Sequence, residues 1–223
     1  MKELWVEKYR PSTVDGYVFR DDAQRQQVKQ WITDGTIPHL LFSGNAGIGK
    51  TTLAKILLNQ LEINDLDVLE INASRTNSVE DVRAKIVNFV QMIPFGDFKV
   101  VLLDEADYLS PNAQAALRGV MEEYHTTARF ILTCNYPNRI IPALHSRCQG
   151  FHIEATYPDL RKCINMVQMN CVDGNLVPPA KADSGDADYK IEMVELFKAG
   201  KIGQARKLVC SQARPEEIED IYK

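Results

Sequence analysis

Gly44-Asn45-Ala46-Gly47-Ile48-Gly49-Lys50-Thr51 has the spacing glycine, four free positions, Gly-Lys and then Ser or Thr, the pattern of a loop that wraps phosphate. Glycines let successive backbone N–H groups turn inward toward an anion, and the N-terminus of the following helix adds partial positive charge. Lys50 supplies a cation to the β- and γ-phosphates, the Thr51 hydroxyl is placed to hold magnesium, and Thr52 completes the nucleotide-binding stretch. An ordinary glycine-rich turn is the alternative, and the flanks decide against it. Residues 37–43 read as a buried strand, and residues 51–61 put Leu53, Ile56, Leu57 and Leu61 on one helical face.

Outward from this loop, strands and helices alternate from residue 21 to 154, as in a doubly wound α/β domain. Strands are expected at 39–43, 67–72, 98–103, 129–133 and 149–153, and helices at 21–34, 51–61, 78–93, 111–124 and 142–146, with Ser110 as an N-cap. A whole strand and helix, 67–93, intervene between the phosphate loop and the next acidic strand. This insertion marks the branch of loop NTPases that carries an extra central strand. After Glu154 the pattern is helical: Leu160, Cys163, Ile164, Val167 and Cys171 make one apolar stripe. A Pro-, Ala-, Gly-, Asp- and Ser-rich loop follows at 173–188, then short helices at 189–199, 202–211 and 215–222.

The whole-chain properties exclude several classes. The 223 residues carry a net charge of -4, so any nucleic-acid contact must come from a local basic surface. No apolar run approaches membrane-spanning length and the N-terminus lacks a signal core, so an intracellular protein is expected. The odd set Cys134, Cys148, Cys163, Cys171 and Cys210 has no Cys-x-x-Cys pairing, which opposes both a disulfide framework and a zinc ribbon.

Lys99-Val-Val-Leu-Leu-Asp104-Glu105 is an apolar strand ending in two carboxylates. Ligands of parallel sheets bind at the carboxyl ends of strands, so Asp104 is placed to hold a magnesium shell and Glu105 to orient or deprotonate water. Strand-end acids alone also read as solvated charges; the phosphate loop beside them favours chemistry. Asn135 ends the next buried strand and reads either as a turn former before Tyr-Pro or as a bridge between γ-phosphate and water. Helix 111–124 buries Ala113, Ala116, Leu117, Val120, Met121 and Tyr124 and turns Asn112, Gln114, Arg118, Glu122 and Glu123 outward.

Trp5-Val-Glu-Lys-Tyr9-Arg10-Pro11, the phosphate loop, Asp104-Glu105-Ala106-Asp107, Asn135, Ser146-Arg147-Cys148 and Pro158-Asp159-Leu160-Arg161-Lys162 occur in this order. In this the chain resembles DNA sliding-clamp loader subunits, AAA+ ATPases of the replication factor C small-subunit type, and looks most like the large-subunit version of T4-like phages. The likeness covers 4–154 closely and thins afterwards. It implies a parallel five-stranded AAA+ P-loop NTPase domain at 1–154, a shortened helical lid at 155–172, a linker at 173–188 and the start of a helical collar at 189–223. The lid is shortened because Ile153-Glu154 runs almost directly into Ala155-Thr-Tyr-Pro158, and only the beginning of a collar precedes Lys223.

The resemblance assigns Tyr9, Arg10 and Pro11 to an adenine pocket, Lys50 and Thr51 to phosphates and Mg²⁺, and Asp104 to Mg²⁺. It makes Glu105 the catalytic base, Asn135 a first sensor, Arg147 a finger reaching a neighbour's ATP in trans, and Arg161 a second sensor. Arg75 and Arg83 match a DNA-backbone-tracking region, where Asn77 stands in place of the usual Arg; Arg83 reads equally as an exposed helix charge. The exposed pair Tyr108-Leu109 is expected to face a sliding clamp. Together these imply a DNA-stimulated, Mg-dependent ATPase that loads a clamp onto primer-template DNA beside other loader subunits, in the cytoplasm of a bacterial or phage-infected cell. A different AAA+ DNA-remodelling ATPase and a nucleotide-binding structural subunit are the rivals.

Overall fold

A computed structural model describes residues 4–75, 79–153, 159–169, 171–172, 175–176 and 204. Five short strands form one parallel sheet: β1 (Leu40–Ser43), β2 (Val68–Asn72), β3 (Lys99–Asp104), β4 (Ala128–Cys134) and β5 (Gln149–His152), in the order β2-β3-β4-β1-β5. β1, β3 and β4 are almost wholly buried, as expected for strands covered on both faces. Helices α1 (Trp5–Lys8), α2 (Asp22–Thr33), α3 (Lys50–Gln60), α4 (Val79–Val90), α5 (Pro111–Glu123), α6 (Pro142–His145) and α7 (Leu160–Met169) complete the described regular structure, apart from short turns and one small hairpin.

The two faces of the sheet make two apolar clusters. On one, Leu103, Leu132 and Phe130 pack with Ile86 of α4 and Leu117 and Met121 of α5. On the other, Phe42, Leu102 and Ile131 pack with Val28 and Trp31 of α2 and Leu53 and Leu57 of α3. Local chemistry starts the helices that flank these clusters. Asp21 accepts from the Gln24 N–H at 2.8 Å, and Ser110 accepts from the Ala113 N–H at 3.2 Å with Pro111 at the first helical position.

A buried ion pair fixes the other end of the sheet. Lys99 Nζ lies 2.9 Å from Asp67 Oδ1, and Asp67 Oδ2 accepts the N–H groups of Phe95 and Gly96 at 2.8 and 2.9 Å. The Lys99 ammonium also sits 4.4 Å from the centre of the Phe89 ring. Each buried charge is thereby compensated, and the starts of β2 and β3 are locked together.

Four sequence expectations are corrected. Gln114 faces inward, 1% exposed, because its amide satisfies three backbone groups: Nε2 donates to the Leu109 and Arg139 carbonyls, and Oε1 accepts from the Ile141 N–H. Leu109 is buried in the α4–α5 cluster while Tyr108 alone of that pair is exposed. Helix α4 ends at Val90, short of residue 93, and leaves Met92, Ile93 and Phe95 exposed. Beyond α7, Cys171–Val172 pairs antiparallel with Asn175–Leu176, so Cys171 belongs to a strand and not to the helical stripe. The sequence signal for that pair is Asp173-Gly174, a dipeptide favoured in two-residue hairpin loops.

The chain divides into two compact units, Met1–Met166 and Val167–Lys223. The helices read at 189–199, 202–211 and 215–222 lie outside the described residues, save Gln204, which is helical. Among the described residues no helix is long and apolar enough to cross a membrane. The four described cysteines are free, with Cys134 and Cys148 buried and their thiols pushed up to about 12 by burial.

His39, just before β1, accepts from the Phe130 N–H through Nδ1 at 3.2 Å, which requires that nitrogen to be unprotonated. Burial, reinforced by the charge of Arg129, lowers its pKa from 6.5 to about 4. Between those values the unfolded chain binds a proton that the folded chain refuses, so stability falls as pH drops through this window. Replacing His39 by Asn keeps an acceptor and removes the titration. Unfolding free energies from urea titrations should therefore fall more steeply with acidification in the parent than in His39→Asn, and parallel curves would contradict the assignment.

Candidate functional site

The register of the sheet sets out the site. Ser43 at the end of β1 pairs with Cys134 at the end of β4, and Leu103 of β3 pairs with Leu132 of β4. The loop after Ser43, the acids after Leu103 and Asn135 after Cys134 thus leave the same edge, within strands spaced about 4.8 Å apart. β1 lies between β4 and β5, whereas the chain continues from β1 to β2 on the far side of β3 and β4. That reversal opens a crevice at the carboxyl ends of the strands.

The glycines of the loop are needed for shape. Gly44, Gly47 and Gly49 have φ of 140, 76 and 97°, values that side-chain-bearing residues rarely adopt. A Cβ on Gly44 would collide with the Ile153 carbonyl oxygen, and one on Gly47 with the Asp159 carboxylate. Gly49 is set from below by Tyr17, whose ring would lie 3.2 Å from an added Cβ and whose hydroxyl donates to the Gly49 carbonyl at 3.3 Å. Burial raises the Tyr17 phenol above its ordinary pKa and keeps it a donor.

Two charged groups meet at this edge. Lys50 Nζ donates to the carbonyl oxygens of Gly44 and Asn45 at 2.8 and 2.6 Å and to Asn135 Oδ1 at 2.8 Å. Desolvation lowers its pKa, opposed by the nearby acidic groups Asp104, Asp107 and Glu105. Asp104 Oδ1 accepts two hydroxyls, Thr51 Oγ1 at 2.7 Å and Thr133 Oγ1 at 2.6 Å. Thr133 Oγ1 in turn accepts the Glu105 N–H at 3.0 Å. Glu105 itself holds a left-handed backbone, φ 57°, a conformation that costs a non-glycine residue about 1 kcal/mol or more and concentrates at functional sites.

A cavity of about 360 Å³ opens over these groups, within the range of small-molecule sites. It is lined by Tyr9, Arg10 and Pro11, by Tyr17 and Val18, by Ala46 to Thr52 of the loop and α3, and by Asp104, Glu105 and Asn135. Leu160, Arg161 and Ile164 of α7 line it too, which puts Arg161 beside the cavity. Asp159 caps α7 by accepting the Lys162 N–H at 3.0 Å. A lining that joins apolar and aromatic side chains to a glycine loop and charged groups suits a flat base with a charged tail.

The candidate metal position fits magnesium in its donor chemistry. Thr51 and Asp104 present hard oxygen donors already within hydrogen-bond distance of each other. Among the described residues no cluster of three or more His, Cys, Asp or Glu side chains is arranged for a metal. Magnesium commonly takes one or two protein oxygens and completes its shell with water and substrate phosphates, so this sparse set is what it requires.

Arg147 lies elsewhere. It precedes β5, at the end of the sheet opposite the phosphate loop, and it is not among the cavity-lining residues. A four-residue strand spans roughly 13 Å at about 3.3 Å per residue. Arg75, in the turn after β2, and Arg83, on α4, are both exposed and also outside the cavity. Sequence reading missed Tyr17, Thr133 and the buried carboxylate of Asp107, whose Oδ2 accepts the Asn135 and Tyr136 N–H groups at 3.3 and 3.1 Å. Thr133 sits inside an apolar run that reads as core, and only its place beside the Asp-Glu strand could have flagged it.

Known proteins agree with this architecture. Residues 40–155 match the family described as ATPase family associated with various cellular activities (AAA). The replication factor C small subunit of Methanococcus vannielii is 35% identical over 98% of this chain and 73% of its own length. That of Archaeoglobus fulgidus is 37% identical over 99% of this chain and 73% of its own. The RuvB Holliday junction branch migration motor of Thermotoga maritima superposes with a TM-score of 0.53 at 19% identity, over 66% of this chain and 48% of its own, a likeness of fold. The chain belongs to the AAA ATPases and, within them, to the replication factor C small subunits, the ATPase subunits of clamp loaders.

Thr133→Val keeps shape and deletes the hydroxyl that joins Asp104 to Glu105. Steady-state turnover should fall by about tenfold or more, the value of a lost hydrogen bond to a charged group, while nucleotide affinity changes by less than about threefold. Equal losses in both would mean that Thr133 serves binding alone.

Proposed function

We propose that this chain hydrolyses ATP with magnesium and uses the cycle to place a ring-shaped sliding clamp on primer-template DNA, alongside other loader subunits. The observation that carries the reading is the convergence of Lys50, Thr51, Asp104, Glu105 and Asn135 on one end of the cavity. Tyr9, Arg10 and Pro11 receive the adenine end, with Leu160 and Ile164 covering it. The glycine loop, Lys50 and the start of α3 receive the phosphates. Thr51 and Asp104 would hold magnesium, which would supply positive charge to the triphosphate.

Glu105 takes a proton from a water whose oxygen attacks the γ-phosphorus. The bond to the β-γ bridging oxygen breaks, its electron pair leaves with ADP, and inorganic phosphate is the other product. Asn135 aligns that water while its side chain shares Lys50 with the loop carbonyls. Arg161 of α7 reads the γ-phosphate in cis. Arg147, at the end of the sheet opposite this chain's own phosphate loop, is the proposed contact to a neighbour's triphosphate in trans.

Arg75 and Arg83 are the proposed DNA contacts, made to backbone phosphates without reading sequence. Tyr108 is the proposed clamp contact, since Leu109 is buried. The domain assignment proposed is an ATPase domain at 1–154, a short lid at 155–172, a linker at 173–188 and the start of a collar at 189–223. Location in the cytoplasm is proposed as well. The relatives named above are archaeal and lend no support to a bacterial or phage source.

ATP turnover of the full chain, with and without primed DNA and clamp, tests the reading. Lys50→Ala should abolish turnover, and Arg147→Ala should lower it by about a thousandfold in the assembled state while leaving nucleotide binding intact. Turnover of Lys50→Ala equal to the parent would remove the enzyme reading. Turnover indifferent to clamp and primed DNA would favour another AAA+ DNA-remodelling role.

A further inference from the structure

Near the end of α5, one carboxylate oxygen faces two guanidiniums. Glu122 Oε1 accepts from Arg118 Nε at 2.9 Å, one helical turn back, and the same oxygen accepts from Arg147 Nη2. The three side chains are 38%, 47% and 36% exposed for Glu122, Arg118 and Arg147. Ion pairs this open add little to stability, so fold maintenance does not account for the cluster. Its geometry does suggest a task. Among the described residues Arg147 is engaged through one terminal nitrogen, Nη2, which leaves its Nε and Nη1 donors for another anion.

We propose that Glu122 is a positioning residue for Arg147, holding the guanidinium by Nη2 so that its remaining donors are presented to the triphosphate of an adjoining copy or subunit. The inference rests on the trans role proposed above for Arg147. Arginine carries roughly 2 kcal/mol of side-chain entropy, and a guanidinium already restrained loses less of it on reaching phosphate. Arg118 completes the device. Its i,i+4 bond fixes the Glu122 rotamer and balances the carboxylate charge, so the cluster keeps a net positive charge and Glu122 does not outcompete a phosphate for Arg147.

The test compares Glu122→Ala, Glu122→Gln, Arg147→Ala and the double variant Glu122→Ala/Arg147→Ala in the full chain, under the conditions where Arg147→Ala impairs turnover. Glu122→Ala should lower kcat by about tenfold, with KM for ATP within about twofold, as expected for one lost charge-assisted hydrogen bond. Glu122→Gln retains an acceptor oxygen and should recover most of the loss. The double variant should turn over no more slowly than Arg147→Ala alone. Parent-like kcat in Glu122→Ala beside an impaired Arg147→Ala, or losses that multiply in the double variant, would overturn the positioning role and leave the trans role standing. Parent-like turnover in Arg147→Ala would overturn both. Nitrogen-15 relaxation of the Arg147 Nε–H gives a readout independent of assembly: it should be ordered in the parent, mobile in Glu122→Ala and ordered again in Glu122→Gln, and equal mobility in all three would overturn the proposal.

Discussion

Every element of the site depends on two charges at the carboxyl edge of the sheet, each satisfied by polar groups of the protein. Lys50 is 8% exposed, too buried for its charge to be left unsolvated, and three oxygens supplied by the loop and Asn135 take the place of water. Asp104 is held the same way by two threonine hydroxyls. Because Thr51 lies in the first turn of α3 and Thr133 in β4, these bonds tie loop, helix and two strands into one frame. The frame places its polar groups before any ligand arrives, which is the condition for electrostatic stabilisation of a charged transition state.

The architecture above and below that frame follows from burial. Strands covered on both faces by helices must be apolar throughout, and a parallel sheet of such strands leaves polar groups only at its ends. One end holds the Lys99–Asp67 pair, buried and fully compensated, and acts as a clasp. The other end has room between the loop and α7. The difference between a structural charge pair and a candidate site is the cavity beside it, together with donors and acceptors that a ligand can recruit.

Sequence carried the fold and the phosphate loop well because both rest on local pattern. Apolar runs located β1, β3 and β4, and the alternation of elements located β2 and β5, all within two residues, and Gly44, Gly47 and Gly49 sit where positive φ is required. What stayed hidden depends on tertiary contact. Gln114 reads as a surface residue on a helical wheel, yet three backbone partners from neighbouring turns draw it inside. Thr133 reads as core, yet its hydroxyl organises both acids. Tyr17 has no motif to mark it and acts only because the loop folds over its ring. The Glu122–Arg147 contact joins residues on different elements, and no spacing rule reaches that far.

A crystal structure of the full chain with magnesium and a nonhydrolysable ATP analogue tests the central claim most directly. It should show adenine between Tyr9 and α7, phosphates in the glycine loop with Lys50 transferred from the loop carbonyls to them, and a metal ion at Thr51 and Asp104. A structure in which the analogue binds elsewhere, with Lys50 still bonded to Gly44 and Asn45, would contradict that claim.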